Sequence, residues 1–307
     1  MGLYHSEAGH SALIVLFLLF LVLRAAVVSA QTLEPRTYSN IPISQTFLLL
    51  GYIHSDGDIT PAPVAPVQDI DLTIDEVILG GAHSFSIAGK SSKVDFVGSR
   101  SCYEGTGIFQ GEAQEHRRCE YGDPTVKLTW NFYGAPALTL EEYRKWDPGL
   151  VIGSSLEASI PIGTYNSENI INAGANRWVI RPGLGLSYHW EKWFFDFSGS
   201  IRFFEDNDDF FNGLVVEQDP LYQMQSHLIY IFPKGRWLSL DLNYYWGGES
   251  TKGDIEPDDR MENSRVGLTF STPLTIHHSL KFFAASGVRG RVGGNFDNLG
   301  LIWQYRF

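Results

Sequence analysis

Apolar and polar residues alternate one by one along most of the chain after residue 122. The segment 125–132, TVKLTWNF, places an apolar residue at every even position and a polar residue at every odd one. The final segment 299–307, LGLIWQYRF, repeats this period and ends on an aromatic residue. A period of two predicts β-strands with one apolar and one polar face. Strands of a soluble sandwich share this pattern, so the connections between strands must decide the fold class.

The connections between these segments alternate between short and long. The brief turns are expected at residues 191–192, 233–236 and 274–278. The long, acidic and Asn- or Gly-rich connections are expected at residues 163–175, 205–220 and 247–260. Bacterial outer-membrane barrels have short periplasmic turns and long extracellular loops, whereas a soluble sandwich has no reason to sort its loops in this way. The connections therefore indicate a membrane barrel.

Strand signals are weaker in the first 120 residues. Strands are expected at 43–53, 72–85 and 93–98, and a cysteine-bearing loop at 99–121. Glu76 is out of phase with its neighbours, which predicts a bulge or a register shift there. The total is about twelve strands, and an even number keeps both chain ends on the periplasmic rim. The predicted fold class is all-β: a transmembrane antiparallel β-barrel preceded by a cleaved signal peptide.

The first thirty residues read as an export signal. An apolar run covers residues 12–23, and Val28-Ser29-Ala30 fits a small-residue cleavage site. About a dozen apolar residues are too few for a membrane-spanning helix, which needs about 20. The predicted organisation is a signal peptide at 1–30, a periplasmic N-terminal segment at 31–42 and one barrel domain at 43–307.

Composition agrees with export and with a membrane barrel. Aromatic residues make up 14% of the chain, and the two interfaces of a barrel use such rings. The net charge of −12 argues against a nucleic-acid partner. Cys102 and Cys119, the two cysteines of the sequence, lie in the exported part. A disulfide between them would contribute roughly 3 kcal/mol and is favoured over a metal site. No metal and no cofactor are predicted.

Several motifs in residues 161–307 resemble one family. The matching stretches are Pro161 to Tyr165, Ile171 to Trp178, Phe204 to Phe210, Glu217 to Tyr222, Tyr244 to Gly248, Asn263 to Gly267, His278 to Lys281 and Gly287 to Asp297. In these stretches the chain resembles the meta-pathway phenol-degradation family of outer-membrane transporter-like β-barrel proteins. The resemblance implies an outer-membrane barrel that passes small organic, including aromatic, compounds. It assigns no catalytic residues.

The inward positions of the predicted strands carry more basic than acidic side chains. The candidate lumen-lining residues are Glu157, Arg177, Arg181, Asp196, Arg202, His227, Asp241, Arg265, Lys281 and Arg306. Such a wall would favour anionic or polarisable aromatic solutes through charge and cation–π contacts. The alternative is a ladder of paired charges that fills a narrow barrel, since twelve strands lie between side-chain-filled barrels and wide porins. His227 is expected to be a hydrogen-bonded lining residue rather than a metal ligand.

Two acidic stretches and one histidine-serine motif offer groups that could bind a metal ion or act in catalysis. The acidic stretches 205–209 and 254–259 offer oxygen ligands for calcium or magnesium, but solvated loops explain them better. His277-His278-Ser279 is the nearest approach to the histidine and serine of an outer-membrane lipid-modifying enzyme. It falls at a short periplasmic turn, which is the wrong membrane face, so the protein is predicted not to be an enzyme.

The sequence therefore predicts a passive channel or transporter for small hydrophobic or aromatic solutes in the bacterial outer membrane. The alternative functions are a structural or surface-binding barrel without transport and a lipid-modifying enzyme. The expected partners are outer-membrane lipid and lipopolysaccharide, small organic solutes and the barrel-insertion machinery. That machinery would read Trp303, Tyr305 and Phe307, since they resemble the terminal aromatic signature of outer-membrane proteins.

Overall fold

The computed structural model describes residues 33–60, 67–109, 112–169, 172–210 and 213–307, so the predicted signal peptide lies outside the described residues. Within these ranges the chain forms sixteen β-strands and a short α-helix, α1, at Leu140–Tyr143. The strands are β1 Thr46–Thr60, β2 Val67–Ile87, β3 Lys90–Phe109, β4 Glu112–Tyr121, β5 Thr125–Tyr133, β6 Leu150–Ser159, β7 Val179–Trp190, β8 Trp193–Phe204, β9 Asn207–Phe210, β10 Leu214–Gln218, β11 Leu221–Ile231, β12 Trp237–Gly247, β13 Ser250–Lys252, β14 Met261–Pro273, β15 His278–Arg289 and β16 Gly293–Arg306. Among the described residues, no helix combines the length and the apolar character that crossing a membrane requires.

Twelve strands close into one antiparallel barrel, which confirms the predicted fold class. Around the wall the order is β1, β2, β3, β5, β6, β7, β8, β11, β12, β14, β15 and β16. The last strand pairs with the first from Phe47↔Arg306 to Thr60↔Gly293, which closes the cylinder. This closure gives backbone polar groups the partners that lipid cannot supply. Strand β4 extends the line of β5 along β3, and β9, β10 and β13 form a small separate sheet.

The outer face of the barrel is apolar and has aromatic residues at both ends. Leu79, Leu184 and Leu299 are each more than half exposed, as expected for side chains that face lipid. On β11, Tyr222 stacks on a tryptophan of β12 at the extracellular end, and Tyr230 meets a tryptophan of β8 at the periplasmic end. The two tyrosines are eight residues apart. That spacing is about 26 Å along a strand, and a strand tilt of about 40° makes it about 20 Å in height, which is comparable to the apolar band of outer-membrane barrels, about 25 Å tall.

Most of the short connections lie on the rim that also holds Thr46 and Phe307, whereas the three-residue connection between β15 and β16 lies on the opposite rim. Phe307 donates its backbone N–H to the Thr46 carbonyl, so the start and end of the barrel meet there. The turns after β7, β11 and β14 share this rim, and so does a longer connection between Tyr133 and Leu150 that carries α1. The sorting of short turns and long loops agrees with the orientation predicted for an outer-membrane barrel.

The bulge or register shift expected at Glu76 is wrong. β2 pairs with β3 without interruption from Asp71↔Thr106 to Ile87↔Lys90, and its irregularity lies between Gln68 and Asp71. The reason is that Glu76 faces the lumen, where it accepts a hydrogen bond from Ser101 Oγ at 3.4 Å. A charged residue between apolar neighbours therefore needs no change of register.

The cysteine-bearing stretch, expected to be a loop, is a hairpin. Strands β3 and β4 pair from Arg100↔Tyr121 to Phe109↔Glu112. Cys102 and Cys119 are directly opposite each other in this pairing and are joined by a disulfide. The sequence of β4, EAQEHRRCEY, lacks alternation because most of its side chains, on both faces, are exposed.

Candidate functional site: the divided lumen

The chain before β1 enters the barrel. Residues 33–45, called here the lumenal segment, lie inside the lumen at their N-terminal end and reach the periplasmic rim where β1 begins. The Arg36 backbone N–H donates to Asp196 Oδ2 at 2.8 Å, and the Glu34 N–H donates to Gln225 Oε1 at 3.1 Å. These two partners are inward residues of β8 and β11. The described part of residues 31–42 thus differs in location from the periplasmic segment expected from the sequence.

An ion-pair cluster fixes the N-terminal end of the lumenal segment. The Glu34 carboxylate accepts hydrogen bonds from Lys127 on β5 and from Arg181 on β7, the latter at 2.8 Å. Arg181 also donates to Glu157 on β6 at 2.6 Å. Each of the four side chains is at most 26% exposed. Two positive and two negative charges face one another, which is what sequestered charges require.

Wall glycines make room for the aromatic residue of the segment. A Cβ atom at Gly185 would lie 2.2 Å from the Tyr38 ring, and one at Gly153 would lie 2.7 Å from it. The Tyr38 hydroxyl is 3.0 Å from the hydroxyl of Ser155. On β14, a Cβ at Gly267 would be 2.4 Å from Cδ1 of the leucine at position 33. Side chains at these wall positions would collide with the segment, so the inner wall is shaped for it.

Asp241 is the centre of a buried polar network on the same side of the lumen. Its carboxylate accepts from Thr269 Oγ1 at 2.6 Å and from Ser239 Oγ, and lies 2.7 Å from His227 Nδ1. The other ring nitrogen of His227 is 3.1 Å from Gln225 Oε1, the oxygen that also accepts from the lumenal segment. The network thus links three adjacent strands, β11, β12 and β14, to the segment.

The other predicted lining residues lie at different heights. Arg202 is on the inner face of β8, and Lys281 on that of β15, with its Nζ 6.0 Å from the centre of an aromatic ring of β12. Arg265 faces inward on β14 and donates to a β16 carbonyl at 3.1 Å. Arg177 lies beyond the extracellular end of β7, over an aromatic ring of β8. Arg306 is at the periplasmic rim, where it donates to a carbonyl of the turn before β15 at 2.7 Å. The structure therefore brings together only part of the predicted set.

The rest of the inner wall is largely apolar. On β15, β16, β1 and β2 the inward positions at mid-height carry mainly aliphatic, aromatic and glycine residues, which Glu76 and Lys281 interrupt. On β3 the inward Val97 lies among polar residues, namely Lys93, Asp95, Ser99 and Ser101. The half-buried apolar members are Leu49, Ile53, Ile78, Val97, Phe283 and Ile302. The outward neighbours Leu50, Tyr52 and Leu79 are also apolar and are exposed on the outer surface. We call this inner surface the apolar half, and the inner surfaces of the wall strands from β5 to β14 the polar half.

Both halves of the lining contain buried and half-buried residues. Ser200 and Arg202 of the polar half are half-buried, and Gly51 of the apolar half is buried. In the polar half, Gln225, His227 and Asp241 are buried beneath the lumenal segment and one another. In the apolar half, side chains such as Ile53 and Ile302 keep part of their surface accessible. A cavity of about 30 Å³ lies between the segment and the polar wall. Benzene occupies an engineered cavity of roughly 150 Å³, so an aromatic ring does not fit there.

Other candidate sites have ordinary surroundings. His278 Nδ1 accepts a hydrogen bond from Trp303 Nε1 at 3.1 Å, and His277 Nδ1 lies 2.7 Å from the Arg306 carbonyl. In the acidic stretch 254–259, Asp259 accepts hydrogen bonds from the backbone and hydroxyl of residue 250. Within the described residues, no group of three or more His, Cys, Asp or Glu side chains is arranged to hold a metal ion.

Sequence reasoning missed the residues that occupy the lumen. Glu34, Arg36 and Tyr38 precede the first strand in a stretch without periodicity, so no pattern assigned them to a face. Their signal was chemical: an acid, a base and an aromatic ring within five residues are groups that a charged wall with glycines can bind. Glu76 interrupts an apolar run because it faces the lumen, which its phase in the sequence does not by itself indicate.

These features define a class of protein. A closed antiparallel barrel with an apolar exterior, aromatic residues at both ends and a charged interior is a bacterial outer-membrane barrel. Residues 67–299 match the family described as "Putative MetA-pathway of phenol degradation". The match covers more than half of the sequence, and the chain belongs to this family.

Solved structures show the same fold. An outer membrane channel from Pseudomonas putida F1 superposes with a TM-score of 0.77 at 23% identity, over 90% of this chain and 100% of that one. The transport unit of the autotransporter AIDA-I from Escherichia coli gives 0.54 at 12% identity, over 99% and 100% of the two chains. The translocator domain of the autotransporter NalP from Neisseria meningitidis gives 0.51 at 8% identity, over 98% of each. No functionally curated protein matches the sequence.

Proposed function

We propose that the protein is a passive outer-membrane channel for small hydrophobic or aromatic solutes. The observation that carries this proposal is the apolar half of the lumen, where Ile53, Ile78 and Ile302 remain partly accessible. Accessible apolar surface that is continuous over several side chains is typical of ligand-binding grooves. The family description, which refers to phenol degradation, supports the same substrate class.

The proposed path follows the barrel axis. Solute enters at the rim of long loops and moves along the inner wall to the periplasm without a cofactor. The extracellular end of the apolar half holds a buried apolar cluster, made of Ile59, Ile70, Leu72, Ile74 and Phe296. These side chains pack against one another, so an apolar solute would pass beside this cluster before it meets the accessible Ile53 and Ile78.

Uptake by intact cells tests the proposal. Cells with and without the protein are given labelled toluene at limiting concentration, and lactose serves as a polar comparison solute. We expect the protein to raise the initial rate of toluene uptake and to leave that of lactose unchanged. Equal toluene uptake with and without the protein would contradict the proposed function.

A structural or surface-binding barrel is the second candidate. The small cavity beside the lumenal segment favours it, because a filled lumen does not conduct. Conductance of the purified protein in planar bilayers, together with the uptake assay, separates the two. A barrel that shows neither ion conductance nor toluene uptake would be structural.

The arrangement at the periplasmic turn supports a protein without enzymatic activity. His278 is engaged with Trp303 rather than with a serine hydroxyl, and both lie in the aromatic rim. A nucleophilic serine needs a histidine within hydrogen-bond reach as its base. If the purified protein hydrolyses phospholipid and Ser279→Ala abolishes that activity, this part of the proposal is wrong.

The last strand is proposed to carry the assembly signal. Trp303, Tyr305 and Phe307 lie on one outward face at the end of the chain and form a run of contacting rings at the periplasmic rim. We expect deletion of Phe307 to reduce the amount of folded protein in the outer membrane, measured by heat-modifiable migration in electrophoresis, whereas Phe307→Tyr keeps it. Lipopolysaccharide is the proposed contact of the outer surface at the opposite rim.

A further inference from the structure

Residues 33–39 of the lumenal segment are attached to one side of the barrel, whereas the following residues up to position 45 bond to Ser84 of β2 and Ser91 of β3 near the periplasmic rim. The ion pairs of residues 33–39 reach β5 and β7, their hydrogen bonds reach β6, β8 and β11, and their N-terminal leucine lies against β14. All of these strands belong to the polar half. Across the lumen, Ile53, Ile78 and Ile302 of the apolar half stay partly accessible.

The contacts of residues 33–39 hold this part of the lumenal segment firmly against the wall. Displacing the segment would expose Glu34, Lys127 and Arg181 from a sequestered cluster, and would empty the space that the wall glycines leave for Tyr38. Breaking such a cluster leaves charges without partners, which is strongly unfavourable. Solute passage that required this displacement at each event would be slow.

Glycines keep the wall thin in the apolar half. Gly51 and Gly80 face the lumen among Ile78, Ile302 and Val97. A Cβ at Gly51 would be 3.3 Å from Ile302 Cγ1 and 3.5 Å from Ile78 Cβ, so a larger residue there must project past them into the lumen. A larger residue at either position would therefore add side-chain atoms to the lumen at mid-height, on the side opposite residues 33–39.

We propose that residues 33–39 are a fixed selectivity element and not a gate: they fill the polar half of the lumen and leave the apolar half, centred on Gly51, Ile53, Ile78 and Ile302, as the path for small apolar ring compounds. The segment thereby excludes ions and polar solutes, which the charged wall would otherwise admit. This inference rests on the proposed function, because it names the path and the selectivity of that same channel.

Locking the segment in place tests whether it is a gate. Leu33 Cδ1 lies 2.4 Å from where a Cβ at Gly267 would be, so the double variant Leu33→Cys/Gly267→Cys is designed to join the segment to β14 by a disulfide. Titration of free thiols shows whether the disulfide has formed. We expect toluene uptake by cells carrying the oxidised variant to equal that of the unaltered protein. Uptake that is lost on oxidation and restored by reductant, with Leu33→Cys alone unaffected by either treatment, would show a gate and overturn the inference.

Narrowing the apolar half tests the path. We expect Gly51→Leu to reduce toluene uptake severalfold without changing ion conductance. Gly98→Leu is the matched control, because Gly98 lies opposite the lipid-facing Leu79 and has no atom within 4 Å of its Cβ position. Heat-modifiable migration in electrophoresis shows whether each variant folds. If Gly51→Leu does not fold, Ile53→Trp narrows the same part of the lumen and replaces it in the test. Normal toluene uptake by a folded variant of this kind would exclude the path.

Releasing the segment tests the selectivity. We expect the double variant Glu34→Ala/Tyr38→Ala to raise ion conductance severalfold and to change toluene uptake little. If both rise by the same factor, the segment obstructs every solute alike and the inference is wrong. These outcomes differ from failure of the proposed function, in which the unaltered protein itself gives no toluene uptake.

Discussion

The lining side chains of the two halves of the lumen have different environments. In the polar half, charged and hydrogen-bonding groups such as Arg181 and Asp241 find partners on neighbouring strands and on the lumenal segment. In the apolar half, Ile53 and Ile302 lie across the lumen from that segment and stay partly accessible. A charged lining therefore does not by itself indicate a polar pore. What matters is which part of the lining the chain leaves uncovered.

The largest effect is expected from Arg181→Ala. Arg181 lies between Glu34 and Glu157, so its loss leaves two carboxylates near each other with one cation of the cluster, Lys127. Breaking a sequestered pair in this way costs about 3 kcal/mol. We expect a lower free energy of unfolding in urea and greater protease cleavage within residues 33–45. Arg236→Ala, a change at an exposed periplasmic turn, is the control. Unchanged stability and cleavage would mean that the cluster does not hold the segment.

The strands of the polar half were easier to predict from the sequence than those of the apolar half. Strands such as β12 and β14 have a lipid face and a polar face, so alternation revealed them and their inward residues. In β1 the run Phe47 to Ile53, FLLLGYI, is apolar on both faces, so the period of two disappears. The alternation of apolar and polar residues is therefore weakest in strands whose lumenal face is also apolar.

Other features were beyond the reach of periodicity. The lumenal segment is neither strand nor helix, and its contacts join residues far apart in the chain, such as Glu34 and Arg181. The strand β4 is exposed on both faces, so no hydrophobic pattern marks it. The glycines that receive Tyr38 look like ordinary strand glycines until the ring is placed against them.

A smaller effect is expected from Asp241→Asn. The carboxylate accepts from Thr269 and Ser239 and lies beside His227, and an amide can accept with only one of its two terminal atoms. One buried group then loses its partner, which costs about 2 kcal/mol. Unfolding in urea measures the loss. Asp297→Asn changes the same chemical group on the exposed outer face and should have little effect. Equal values for the two variants would show that burial of the network adds nothing to stability.

Gly185→Ala tests the shape of the polar wall. The added methyl group would lie 2.2 Å from the Tyr38 ring, so either the ring or the strand must move. Overpacking of this kind costs about 1 to 3 kcal/mol. We expect increased protease cleavage of the lumenal segment and higher ion conductance. Gly199→Ala is the matched change in the adjacent strand, where the nearest atom to the new methyl group is 3.9 Å away. A segment equally protected in both variants would contradict a wall shaped for Tyr38.

The smallest effect is expected from Tyr38→Phe, which keeps the ring between the wall glycines and removes only the hydroxyl that meets Ser155. One neutral hydrogen bond contributes about 1 kcal/mol, so the unfolding free energy should fall slightly while ion conductance stays low. Tyr188→Phe, on the lipid-facing side of β7, is the control. If Tyr38→Phe released the segment as fully as Gly185→Ala, hydrogen bonding rather than shape would hold it. In that case the single hydrogen bond between Tyr38 and Ser155 would keep the segment in the polar half. The exclusion of ions would then depend on the polarity of the wall and not on the space that its glycines leave for the ring.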